Sequence, residues 1–195
     1  MCADFVYLAS ASPRRRQLLE QIGVRYQTLS VSIDESVATA EAPRAYVSRL
    51  AEAKADAGRR QAQVRGSAGR PVLAADTAVL IDGEILGKPE DATDAARMLH
   101  RLSGRTHRVI TGVAVVSAQR VEVAAEATAV HFLTLSDQEI DAYVATGEPM
   151  DKAGAYAIQG LAARWIPRIE GCYFNVVGLP LALVAAMLDG CEIQG

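Results

Sequence analysis

The stretch Leu8-Ala-Ser-Ala-Ser-Pro-Arg-Arg-Arg-Gln-Leu-Leu-Glu-Gln-Ile-Gly23 joins a short apolar run to an amphipathic one. Phe5 to Ala9 is brief and continuously apolar, the signature of a buried strand. Ser12-Pro13 then starts a helix, with serine at the N-cap and proline at N1, where its missing N–H costs nothing. Leu18, Leu19 and Ile22 supply an apolar face, and Gly23 ends the segment. A strand, a tight turn and a helix in this order open an α/β arrangement. The turn also carries two hydroxyls, Ser10 and Ser12, and three arginines at 14 to 16. A helix N-terminus presents unpaired N–H groups and partial positive charge, so it attracts anions. Serine hydroxyls add donors, and Arg14 adds a fork of N–H groups suited to phosphate. Arginine in a first turn opposes the helix dipole, which favours a phosphate-binding turn over a solvated basic one.

Outward from this stretch, Tyr26 to Ile33 reads as a second strand and Asp34 to Ala42 as an acidic loop. A long helix begins at Pro43 and places Tyr46, Val47, Leu50, Ala51 and Lys54 on one stripe. It fades into a Gly, Ser and Arg-rich linker, Gly66 to Arg70. Pro71 to Ile81 is a strand, Asp82-Gly83 a hairpin turn into Glu84-Ile-Leu, and Gly87-Lys88-Pro89 its close. Asp91 to Leu102 is a helix with Ala95, Met98, Leu99 and Leu102 inward. Arg108 to Ser117 and Arg120 to Leu135 are long strand candidates that could pair as a hairpin. Ser136 caps a further helix, with Glu139 at the capping-box position. Asp151 to Gly178 is rich in glycine and aromatics, and a last helix covers about Leu181 to Leu188. Strands and helices alternate and then strands cluster, which predicts an α/β or α+β fold with a mixed sheet.

Composition narrows the classes. The chain has 195 residues, half of them apolar and 22% charged, with a formal net charge of −3. This is a globular composition, long enough for a real core, and it argues against a nucleic-acid-coating or acidic-membrane surface. The three arginines are therefore a local positive feature. Cys2, Cys172 and Cys191 form no CxxC pair, which fits a reducing cytoplasm better than a disulfide framework. His100, His107 and His131 lack zinc-ligand spacing. Asp4 stands where a signal peptide would be basic, and no apolar run approaches the length of a membrane span.

Further groups point to chemistry, each with a plainer alternative. Asp76 is the one charge in the run Val72-Leu-Ala-Ala-Asp-Thr-Ala-Val-Leu-Ile81. A buried carboxylate needs a cation, a metal or a hydrogen-bond network, and a satisfied structural acid is the alternative. Lys88 could return to the same edge, although Gly83 to Lys88 is not a Walker loop. Lys54 either snorkels or points into a cleft. Asp34, Glu35 and Glu41 are either a solvated loop or hard-cation ligands. In Asp151-Lys-Ala-Gly-Ala-Tyr-Ala-Ile-Gln-Gly160, Lys152 sits in a turn and Gln159 offers an amide able to read a base edge or merely to cap. Together these suggest a phosphorylated small molecule and a carboxylate-bound metal.

The blocks LASASPRR, RLAEAKA, ADTAVLIDGEILGKP, RLSGRTHRVITGV, DKAGAYAIQG and IEGCYFNVVGLPL, in this order, resemble the Maf family of nucleotide pyrophosphatases over nearly the whole chain. The resemblance implies a single domain over 1–195 with the mixed α/β fold of the inosine-triphosphate pyrophosphatases: a long twisted sheet with flanking helices, and two lobes around a cleft. It also implies a cytoplasmic homodimer. At Arg14, Thr77 and Gln159 the chain resembles the branch that hydrolyses dTTP and UTP to the monophosphate and pyrophosphate, a house-cleaning activity on canonical or modified nucleotides. The 7-methyl-GTP branch carries tryptophan and glutamate at the first two of these positions. By the same resemblance Asp76 is catalytic. Ser10, Ser12, Arg14, Glu35, Lys54, Thr77, Lys88, Lys152 and Gln159 bind substrate, and Asp76 with Glu35 holds a divalent cation, Mg, Mn or Co. The alternatives are a non-enzymatic regulator of septum formation, a 7-methyl-GTP pyrophosphatase, and a phosphatase releasing orthophosphate from monophosphates or sugar phosphates. The sequence offers no exposed amphipathic stripe, disordered arm or charge block for a regulator's partner.

Overall fold

A computed structural model describes residues 5–66 and 69–189. Cys2, Asp4, Cys191 and the centre of the expected linker lie outside the described residues. The elements are β1 (Val6–Leu8), α1 (Pro13–Gln21), β2 (Tyr26–Thr28), α2 (Pro43–Val64), β3 (Val72–Ile81), β4 (Glu84–Leu86) and α3 (Ala92–Leu102). They continue with β5 (Thr106–Val116), β6 (Val121–His131), α4 (Asp137–Ala145), β7 (Arg168–Glu170), α5 (Tyr173–Val177) and α6 (Leu181–Asp189). Among the described residues seven strands form one sheet in the order β2-β1-β3-β5-β6-β7, with β4 paired to β3. β1 runs parallel to β2 and β3, with Leu8 opposite Thr28 and Leu73. β4 and β7 pair antiparallel with β3 and β6. The sheet is therefore mixed, as the alternation of elements predicts.

The chain divides into two compact units. The first comprises Met1–Asp76, Thr111–Glu126 and Gly178–Gly195. Its core joins Tyr7, Ala9, Leu29, Val72, Ala74, Ala114 and Val116 to Ala51, Ala55 and Ala62 of α2. Small residues bring this helix close to the strands. A β-carbon on Gly58 would stand 2.8 Å from Val72 Cγ1, and one on Gly112 of β5 would overlap the Val47 carbonyl and stand 2.8 Å from Ser48 N. The close approach delivers the far end of the Lys54 side chain to the strand surface.

The second unit comprises Thr77–Ile110 and Ala127–Val177. Val79, Leu99, Leu102, Phe132, Tyr143, Tyr156 and Trp165 are among its core residues. Asp91 caps α3 by accepting from Asp94 N at 2.8 Å. Ser136 and Glu139 form both halves of the expected capping box on α4.

Some elements differ from the sequence reading. The second strand stops at Thr28 instead of Ile33: Leu29 N still donates to Leu8 O at 2.9 Å, and the chain beyond it leaves the β1 edge on the way to α2. The long strand after residue 120 ends at His131 instead of Leu135, where Phe132 N and Leu133 N turn to Arg105 O and Trp165 O. Ser12 occupies the N-cap position, but its side chain makes no capping bond, and its N–H donates to Ser10 Oγ at 3.2 Å. The segment after Gly147, which the sequence marks only as rich in glycine and aromatics, is a chain of 3₁₀ turns at Glu148–Asp151, Ala153–Ala155 and Leu161–Trp165.

Candidate active site

Asp76 lies in β3 on the face that carries Val72 and Ala74, since alternate strand residues share a face. α2 covers this face. Leu50, Ala51 and Ala55 are buried, and Lys54, one helical turn from Leu50, shares their stripe. Lys54 Nζ stands 2.7 Å from Asp76 Oδ1 and 2.6 Å from Glu35 Oε1. The Lys54 and Asp76 side chains are only 14% and 13% exposed, whereas Glu35 is 54% exposed. The lone acid of the apolar run thus has its counter-charge on α2, and a second carboxylate meets the same ammonium from the loop.

The loop acids divide by role. Both Glu41 oxygens accept from Arg49, at 2.7 Å each, and Oε2 also accepts from Ala38 N at 3.1 Å. The Arg49 guanidinium holds the Glu41 carboxyl down to about 2. Asp34 Oδ1 accepts from Ser36 N at 2.9 Å in a local turn, and these bonds to Ser36 lower its carboxyl. Arg49 also donates to Ser36 O at 3.0 Å, and Tyr46 Oη donates to Glu35 O at 3.0 Å. Asp34 and Glu41 therefore shape the loop, and Tyr46 and Arg49 fasten it so that Glu35 meets Lys54. Burial, followed by the charges of Asp76 and Glu35, raises the Tyr46 hydroxyl.

In the opening turn Arg15 is tied to the backbone. Its Nε donates to Gly178 O at 2.8 Å and its Nη1 to Ser10 Oγ at 3.2 Å. Burial lowers the guanidinium, Asp76 opposes that shift, Arg14 adds to it, and Glu35 again opposes it. Ser10 is 8% exposed and accepts from both Ser12 N and Arg15. Arg14 and Ser12 are half-buried in the same turn. The helix period is the signal by which Arg15 could have been found: it lies three residues before Leu18, on the inward side of α1.

Thr77, Lys88, Lys152 and Gln159 belong to the second unit. Thr77 follows Asp76 in β3 and so faces the other side, with Val79 and Ile81. Val79 packs on the segment bearing Lys152 and Gln159, because a β-carbon on Gly154 would come within 2.8 Å of it. Gly154 N donates to Gly87 O at 2.9 Å, which sets the Lys88 turn beside the Lys152 turn. Lys152 Nζ pairs with Asp151 and donates to Glu148 O at 3.3 Å, while Lys88 and Gln159 are exposed.

Two carboxylate oxygens that reach one ammonium could also reach one metal ion, and carboxylate oxygen suits a hard divalent cation. Among the described residues no group of three or more His, Cys, Asp and Glu converges, so two carboxylates would need water or phosphate oxygens to complete a shell. That is the usual arrangement for magnesium at a phosphate site. Among the described residues no helix is long and apolar enough to cross a membrane.

Comparisons agree with this architecture. A solved structure of the Staphylococcus aureus Ham1 protein matches with a TM-score of 0.53 at 13% identity, covering 96% of this chain and 99% of that one, which is a likeness of fold. A protein of Chromobacterium violaceum named dTTP/UTP pyrophosphatase is 52% identical over 94% of this chain and 92% of its own length. Proteins with the same name from Aromatoleum aromaticum and a Polaromonas species are 49% and 50% identical, with 94% and 98% of each chain covered. The family model described as Maf-like protein matches residues 5–191, and with these relatives it shows that the chain belongs to the Maf-like family.

Proposed function

We propose that this protein is a nucleoside-triphosphate pyrophosphatase that hydrolyses dTTP and UTP to the monophosphate and pyrophosphate. The observation that carries the reading is the meeting of the nearly buried Asp76 and Lys54 with the loop carboxylate of Glu35, in a family whose similar members bear that name. Phosphoryl transfer needs positioning and charge neutralisation more than covalent help. Lys54 fixes Asp76 Oδ1, and Oδ2 is then the oxygen that takes the proton of the water attacking the α-phosphorus. Ser10, Ser12, Arg14 and the N-terminus of α1 hold phosphate oxygens, with Arg15 stiffening the turn through Ser10 and Gly178. Lys88 and Lys152 offset charge on the departing pyrophosphate. Asp76 and Glu35 are the residues that would hold a divalent cation, Mg, Mn or Co, which when bound would neutralise phosphate charge.

Base choice falls to Gln159, with Thr77 small and neutral beside Asp76. A side-chain amide donates to a carbonyl and accepts from an N–H, which matches the edge of uracil and thymine. The test is product analysis with UTP, dTTP, CTP, GTP and 7-methyl-GTP in the presence of magnesium, manganese or cobalt. Pyrophosphate and monophosphate from UTP and dTTP are expected. Orthophosphate as first product, or a preference for 7-methyl-GTP, overturns the assignment.

A further inference from the structure

The segment that carries Lys152 and Gln159 has no β-ladder to hold it, and a carboxylate performs that task from inside. Tyr143, buried in α4 and stacked edge-on against Trp165 at 5.1 Å, donates its hydroxyl to Glu148 Oε1 at 2.8 Å. The Tyr143 oxygen accepts from Ala157 N at 3.2 Å, two residues before Gln159. Both Glu148 oxygens accept from Leu161 N, at 3.1 and 3.3 Å, two residues after it. The Glu148 carbonyl also accepts from Lys152 Nζ at 3.3 Å. Gly160 lies so close that a β-carbon there would overlap the Glu148 carboxylate. The backbone on each side of Gln159 is therefore bound to one aromatic–carboxylate unit anchored in the core. A carboxylate only accepts, so it serves several donors without rearrangement.

We propose that Glu148 and Tyr143 are positioning residues for base discrimination, acting by fixing the backbone on both sides of Gln159. The inference rests on the reading that Gln159 faces the pyrimidine edge. A polar reader selects between bases only if it is held in one place, because its selectivity comes from leaving the wrong base unpaired.

The experiment measures kcat and KM for UTP and CTP. It compares the wild type with Glu148→Ala, Glu148→Gln, Tyr143→Phe, Gln159→Ala and the double variant Glu148→Ala/Gln159→Ala. Glu148→Ala is expected to reduce the UTP-over-CTP ratio of kcat/KM by about tenfold or more, through KM for UTP, with kcat within about threefold. Glu148→Gln keeps an acceptor for Leu161 N and should recover most of the ratio. Tyr143→Phe keeps the ring and loses the Ala157 bond, so it should move the ratio the same way by less. In the Gln159→Ala background Glu148→Ala should add nothing, the mark of two residues acting as one. Faster amide exchange at Ala157 and Leu161 in Glu148→Ala and Tyr143→Phe is the matching structural readout. If Gln159→Ala leaves the ratio unchanged, the base-reading assignment fails, and this proposal with it. If Gln159→Ala collapses the ratio while Glu148→Ala and Tyr143→Phe preserve it, this proposal alone is overturned. Equal losses for both nucleotides at an unchanged ratio would show a merely structural role and overturn it too. If Glu148→Ala does not fold, Tyr143→Phe and Glu148→Gln decide.

Discussion

Asp76→Asn should separate catalysis from stability. The substitution keeps the volume and an acceptor oxygen for Lys54 and removes one charge. Breaking a buried ion pair costs about 3–5 kcal/mol when the remaining charge is left without a partner. Here Lys54 keeps Glu35 at 2.6 Å, and Glu35 is more than half exposed, so the remaining charge is neither isolated nor fully desolvated. The stability loss should then be about 1–2 kcal/mol, a fall in Tm of roughly 2–8 °C at this chain length. Loss of a general base lowers kcat by about 10²–10⁴-fold. Lys54→Met should reverse the balance of effects on stability. It takes the ammonium from between two carboxylates and leaves the nearly buried Asp76 charge without its ion-pair partner, so about 3 kcal/mol is expected. Pyrophosphate release at saturating UTP and thermal melts of the three proteins check the ordering. An Asp76→Asn enzyme with a tenth or more of wild-type kcat would refute the assignment of the base. An Asp76→Asn protein less stable than Lys54→Met would refute the electrostatic argument.

Arg14→Ala should lower kcat/KM for UTP by about 10–100-fold, because a charge-assisted bond to phosphate contributes about 1.5–3 kcal/mol, Arg15→Ala should lower it by less through the loosened tie between Ser10 and Gly178, and Arg16→Ala should change it little; steady-state kinetics on the three variants decide. Gly112→Ala should destabilise by about 1–3 kcal/mol, since the added methyl meets the α2 backbone at Val47 and Ser48, which yields less readily than a side chain. Denaturant unfolding measures it, and an unchanged midpoint would mean that α2 lies further from β5. Burial first, and His131 second, lower the His107 imidazole from 6.5 to about 3. The unfolded chain binds the extra proton across that interval, so stability is full above about pH 6.5 and falls by about 1.4 kcal/mol per unit as pH drops toward 3. Denaturant titrations of the wild type and His107→Phe at pH 7 and 5 should show a shallower loss in the variant.

Most of the element order was legible because local chemistry writes it plainly. Ser136 and Glu139 have capping-box spacing, Pro13 marks the start of α1, and the ten-residue apolar run of β3 admits no helix signal. Asp76 stood out for an equally simple reason, a charge where charge is costly. The partners of that charge were less legible. Lys54 fell on the apolar stripe of α2, but from its position alone a snorkelling lysine was the better reading. Among Asp34, Glu35 and Glu41, composition offered three equivalent carboxylates. The family resemblance singled out Glu35, and the fold supplies a physical distinction by spending Glu41 on Arg49 and Asp34 on its own turn and setting Glu35 against Lys54. The role of Arg15 was hidden for the same reason, because its bond to Gly178 depends on where a residue more than 160 positions later meets the turn.

The sequence by itself determined the alternation of strands and helices, the apolar faces, the caps and the residue types that suit phosphate chemistry, since all of these depend on neighbours within a few positions. Tertiary structure alone decided which charges meet. An ion pair such as Lys54 with Asp76 joins α2 to β3 across 22 residues, and the Glu148–Tyr143 unit brackets Gln159 only because the 3₁₀ turns fold back onto α4. Such contacts depend on how elements pack, and the small side chains that permit that packing, such as Gly58 and Gly112, carry no chemistry of their own to announce it.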